Sequence, residues 1–110
     1  MFTIQVIFCM LIEDLIFYIS HRTLHTKYFY SSIHKVHHEM KISFCLAALH
    51  VHPIEYIFGN VIPMMIGPAI LGHRMHRVSM FGWYFIRILE GIDGHGGYNF
   101  PWSPFRILPL

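Results

Sequence analysis

The 110-residue chain is at most one domain, and its composition, 55% hydrophobic with 13% charged residues, excludes an ordinary soluble fold, in which about a quarter of residues are charged. A soluble chain this short has too much surface to hide so much apolar side chain, so the natural solvent for the excess is a lipid bilayer. A formal charge of +2 without a basic run argues against nucleic acid as a partner, whereas ten histidines, roughly four times ordinary usage, point to metal.

Residues 1–20 are almost wholly apolar apart from Gln5, Glu13 and Asp14. At about 1.5 Å per residue they come close to crossing a hydrocarbon core of about 30 Å. The stretch lacks the basic start and small-residue cleavage site of a signal peptide, and it is predicted as a transmembrane helix ending at Ser20. Residues 21–41 turn polar and basic through Arg22, Lys27, Lys35 and Lys41, which favours the cytoplasmic side. Tyr28, Phe29 and Tyr30 suit an interfacial aromatic belt. Cys9 and Cys45 form no framework and read as structural thiols.

The first histidine box, His21-Arg22-Thr23-Leu24-His25, puts two imidazoles on one helical face, within reach of one metal. Alone it is weak, since two histidines at that spacing occur by chance. The second, His34-Lys35-Val36-His37-His38, is harder to explain as packing. On a helix His34 shares a face with both His37 and His38, which diverge by about 100°. Such a segment feeds two metal positions, or ligates one and holds the other. The bland reading is a solvated, pH-sensing cluster. His50-Val51-His52-Pro53-Ile54-Glu55 and Asp93-Gly94-His95-Gly96-Gly97-Tyr98 add His52 and His95 as candidate ligands, with His50 read as structural.

Residues 54–71 are apolar but interrupted by Pro63, Gly67 and Pro68, and residues 78–92 form the next apolar run. Together they read as a membrane hairpin turning at residues 72–77. This topology gathers eight histidines (21, 25, 34, 37, 38, 50, 52, 95) on one side and strands His73 and His76 on the other. Arg74 and Arg77 at that far turn run against the positive-inside tendency. All six acids lie near histidine boxes. Carboxylates beside metal-bound imidazoles commonly fix the ring tautomer, although ordinary helix-end acids give the same pattern. Imidazole suits zinc, iron and copper, and spacing alone does not choose among them.

Taken in order, Glu13-Asp14, His21-Arg22-x-x-His25, His34-Lys35-Val36-His37-His38-Glu39, His52-Pro53-x-Glu55 and Asp93-x-His95-x-Gly97-Tyr98-Asn99-Phe100-Pro101 resemble the fatty acid hydroxylase and sterol desaturase superfamily, and within it the C-4 methylsterol oxidase branch. The resemblance implies an all-α, integral membrane helical bundle at the endoplasmic reticulum with its metal site facing the cytoplasm. It implies two irons, use of O2, and electrons from NAD(P)H relayed by cytochrome b5 or its reductase. The substrate implied is a sterol, with fatty acyl hydroxylation or sterol desaturation as the alternative. Mapped by motif, the implied ligands are His21, His25, His34, His37, His38 and His95, with His52 beside them. Asp14, Glu39 and Glu55 become their orienting carboxylates. Tyr98, Phe100 and Trp102 are expected, by proximity, to line a lipid entrance. Phe17 stands where that branch carries a further histidine. The family has more helices ahead of the first box and a later H-H-x-x-H-H box, so residues 1–110 are expected to be the middle of a domain. A non-catalytic membrane scaffold and a zinc site are the competing expectations.

Overall fold

The computed structural model describes residues 1–39, 44–97 and 101–103, and among them every regular element is helical, with no strand. Helix α1 runs Phe2–Leu24, past the expected end at Ser20. The reason is local: no proline or glycine interrupts His21 to Leu24, and the helix stops only where Thr26 turns extended. The first histidine box is therefore the final turn of the apolar helix itself. A short α2, Lys27–Tyr30, reverses the chain. The second box is not α-helical but a tighter 3₁₀ segment, His34–Glu39. A further 3₁₀ segment, Cys45–Leu49, precedes α3, Pro53–Glu55. The side chain of Cys45 and residues Lys41, Tyr98 and Phe100 lie outside the described residues.

Prolines shape the next span. From α3 the helix widens into a π turn, Tyr56–Val61, and returns to α geometry as α4, Ile62–Leu71, with Pro63 in its first turn. There a missing N–H costs little, and the widened turn absorbs the clash a proline ring makes with the preceding turn. Pro68, inside α4, cannot donate to the carbonyl of Met64. The indole N–H of Trp83 takes that carbonyl instead, at 3.0 Å. This is how a membrane helix tolerates proline: a neighbour satisfies the freed group. Gly72, at φ 51°, then turns the chain into α5, Arg77–His95. Among the described residues, two spans are long and apolar enough to cross a membrane, Phe2–Leu24 and Pro53–Arg74. The returning helix α5 is less apolar, because Arg77, Arg87, Glu90 and Asp93 interrupt its run. It is held by packing on α1 and α4 instead.

The interior is small and unusually polar. Val6, Cys9 and Trp83 form the apolar core, while Gln5, Glu13, His34, Glu55 and Ser79 are also buried. Outward, Ile4, Ile7, Leu11 and Leu15 run along α1, and Val78, Phe81, Phe85 and Ile88 along α5, all exposed. A surface more apolar than its core is stable against lipid rather than water. Cys9 is fully buried, a packing thiol as expected. It touches Gly67, where a Cβ would lie 2.8 Å from the Cys9 Cα, so α1 and α4 approach through small residues. Gly67→Ala is therefore expected to lower stability by about 1–3 kcal/mol. Gly91→Ala, which meets nothing within 4 Å, should be neutral or better. Thermal unfolding of both variants in detergent checks this, and equal midpoints would remove the close-approach argument.

Candidate metal centre

Four histidine rings meet where α1 ends. His21 and His25 lie one turn apart with their Nε2 atoms 3.1 Å from each other. The 3₁₀ segment folds back under them and places His34 Nε2 at 3.0 Å from His25 Nε2 and at 3.0 Å from His38 Nε2. Ligand nitrogens of His21, His25 and His34 all fall within 4.8 Å of one another. The ring of Tyr30 stands 5.9–6.1 Å from His25, His34 and His38.

Glu55 sets the chemistry of this cluster. His34 is fully buried, and its Nδ1–H donates to Glu55 Oε1 at 2.7 Å. A neutral imidazole that donates from Nδ1 presents a bare lone pair at Nε2. That lone pair faces two other nitrogens at hydrogen-bond distance, and one lone pair accepts only one good hydrogen bond. Protonation does not relieve the crowding near neutral pH. Burial, followed by the neighbouring His25 and His38, pushes His34 down to about 4. A bound cation is what satisfies converging lone pairs of this kind, so the donor set fits a metal.

The 3₁₀ winding places His37 one full turn from His34, on the same face. Its ring stacks beside His34 with centroids 5.7 Å apart and meets His95 at 5.7 Å. His37 Nδ1 is buried without a partner, and burial lowers its pKa as well, with Glu55 opposing. His95 donates from Nδ1 to the Gly91 carbonyl at 3.0 Å, again freeing Nε2. A cavity of 390 Å³ opens between His21, His37 and His95, with Phe17, Ala48 and Val51 on its apolar wall. Phe17 stacks on His21 at 5.4 Å.

Other sequence-nominated residues sit apart from these rings. His52 caps α3, its Nδ1 accepting from the Ile54 N–H at 3.2 Å. Glu39 approaches His50, at 3.7 Å, and none of the clustered imidazoles. Asp14 faces Glu13 and Arg87 rather than an imidazole. Trp102 is largely exposed and outside the described cavity lining, while Tyr98 and Phe100 fall outside the described residues. His73 and His76 lie at the opposite end of α1, around Gln5.

Sequence reasoning overlooked the ion network beneath the cavity. Arg87 Nε lies 2.8 Å from Glu13 Oε1, and its Nη1 donates to Glu90 Oε2 at 2.8 Å. The signal was present: one acid and one arginine, each stranded in an apolar run, have reason to find each other. Ser103 adds a hydroxyl that donates to Asp93 Oδ2 at 2.8 Å, tying the segment after His95 back to α5. Arg87→Ala is expected to cost about 3 kcal/mol by leaving buried carboxylates unpaired. A chemical-unfolding midpoint in detergent unchanged from wild type would show that this network carries no structural weight.

A helical membrane scaffold with a histidine centre at the end of its spanning helix defines the class. The chain belongs to the fatty acid hydroxylase family, whose model matches residues 6–109. It is 42% identical over 106 residues to methylsterol monooxygenase 2-1 of Arabidopsis thaliana, covering 96% of this chain and 38% of that protein. It is 43% identical over 106 residues to very-long-chain aldehyde decarbonylase GL1-11 of Oryza sativa subsp. indica, covering 96% of this chain and 39% of that protein. Fatty acid hydroxylase domain-containing protein 2 of Homo sapiens shares 35% identity over 103 residues, 94% of this chain and 30% of that one. The chain thus spans 38–39% of the length of the first two relatives. No solved structure matches it significantly.

Proposed function

We propose that the protein is a membrane lipid oxygenase that holds iron in this centre and oxidises a C–H bond of a sterol, at a C-4 methyl group. Electrons come from NAD(P)H through cytochrome b5 or its reductase, and the site faces the cytoplasm at the endoplasmic reticulum. The observation that carries the reading is the convergence of His25 and His38 on the Nε2 of His34, whose tautomer Glu55 fixes. Iron bound there supplies reductive activation of dioxygen, a chemistry zinc lacks. His21, His25, His34 and His38 would hold one ion, and His37 and His95 contribute to a second position. Glu55 keeps the Nδ1 proton on His34 and so keeps Nε2 available. Burial keeps His34 and His37 neutral, the form that ligates. Phe17, Ala48 and Val51 present an apolar wall to a lipid chain or ring and exclude water beside the reacting bond.

A second reading has a specific basis. Relatives named as very-long-chain aldehyde decarbonylases match as well as the methylsterol monooxygenase does, which supports a fatty aldehyde as substrate. The test supplies detergent-purified, iron-loaded protein with NAD(P)H, an electron-donor system, labelled dioxygen and either a 4-methylsterol or a very-long-chain aldehyde. Labelled oxygen in a hydroxymethyl sterol is the expected result. Alkane from the aldehyde alone would favour the second reading, and no oxygen-dependent product from either would overturn both.

A further inference from the structure

The turn joining α4 to α5 has no part in the metal centre, yet four of its five residues in His73-Arg74-Met75-His76-Arg77 are cationic or titratable. We propose that this turn binds the phosphate of a membrane phospholipid headgroup, in the leaflet opposite the metal centre.

A cavity of 770 Å³ lies against the turn, lined by Gln5, His73, Arg74, His76 and Arg77 among others. No described carboxylate lines it. The six acids of the chain are Glu13, Asp14, Glu39, Glu55, Glu90 and Asp93, and none of them pairs with Arg74 or Arg77 among the described residues. Both guanidinium groups and both imidazoles are exposed, so the field in the cavity is positive and unopposed. The turn is also fixed in place. Gln5, itself buried, donates its side-chain N–H to the Arg74 carbonyl at 2.7 Å. His76 accepts from the Val78 N–H through Nδ1, which leaves its Nε2 as a donor. Arginine forks match phosphate oxygens in pairs.

Position selects a lipid as the source. From Gln5 to His21 is about 24 Å along α1, so the turn stands at headgroup depth when the histidine centre stands at the other face. Arginines on that side oppose the usual orientation rule. A headgroup phosphate gives them a partner there.

The experiment is native mass spectrometry of the detergent-purified chain titrated with phosphatidylglycerol, with diacylglycerol of the same acyl chains as control. Wild type should retain phosphatidylglycerol and release diacylglycerol. Arg74→Gln with Arg77→Gln should weaken phosphatidylglycerol binding roughly thirty-fold, at about 1 kcal/mol per basic group. Arg74→Lys with Arg77→Lys should fall between wild type and the glutamine pair, keeping the charge but not the paired contacts, and metal content should be unchanged in both. Equal retention of the two lipids by wild type overturns the proposal without any variant. So does undiminished binding by the glutamine pair. Displacement of the lipid by millimolar inorganic phosphate would overturn the lipid source and assign the site to free phosphate.

Discussion

His34→Ala is expected to empty the first metal position, lowering metal per chain about tenfold or more. Three observations set that size. His34 Nε2 is the nitrogen shared by the His25 and His38 contacts, so its loss disconnects the first box from the second. Its ring fills a fully buried place, so nothing else moves in to ligate. And Glu55, 4% exposed, loses the donor to its Oε1. Removing one partner of a buried pair costs about 3–5 kcal/mol, so the apo-protein should be less stable as well. His37→Ala is expected to lose metal only in part, since the Nε2 contacts of the cluster run through His21, His25, His34 and His38, while His37 also meets His95. His73→Ala, at the other end of α1, should lose none. Mass-spectrometric metal content of detergent-purified, untagged variants decides this. Equal loss from all three would overturn the two-ended arrangement of histidines.

Much of that arrangement was legible in the sequence, for identifiable reasons. The i, i+4 spacing of His21 and His25 needs only a helix to bring two nitrogens together, and α1 supplies it. The apolar runs and the turn near residue 72 follow from composition and Gly72. The winding of the second box was not legible. An α-helix and a 3₁₀ segment both place His34 near His37 and His38, so the pattern alone did not choose between them, nor did it show that His37 also meets His95. The acceptor that holds His34, Glu55, stands 21 residues later. The sequence nominated Glu55 as an orienting carboxylate without saying whose. Asp14 was nominated on the same grounds and lies beside Glu13 and Arg87. Spacing along α1 puts Asp14 and His21 near one stripe, but Arg87 on a neighbouring helix is the stronger attractor. His52 illustrates a different ambiguity: a histidine before a proline at a helix start caps the helix as readily as it ligates, and here Nδ1 is committed to the cap. The Trp83 bond to the carbonyl freed by Pro68 is a long-range pairing that no local pattern announces.

Glu55→Ala is expected to weaken metal binding 10- to 100-fold, the usual cost of removing the carboxylate behind a metal-bound imidazole. The carboxylate does two things at His34. It holds the proton on Nδ1, and it fixes the ring plane so that Nε2 points into the cluster. Without it the buried N–H has no acceptor, costing about 1–3 kcal/mol, and the proton can move to Nε2, where it blocks ligation. Glu55→Gln should fall between alanine and wild type. Its amide oxygen still accepts from Nδ1 but more weakly than an ionised carboxylate. Its NH2 group then occupies the place of Oε2, which is buried with no partner, so the new donor gains nothing there. Competition with a chelator of known affinity gives the three values on folded protein, independently of turnover. The order wild type, glutamine, alanine supports orientation by Glu55. Alanine equal to wild type would mean that His34 is held by packing alone, and glutamine as poor as alanine would mean that the negative charge, rather than the acceptor, is what the metal requires.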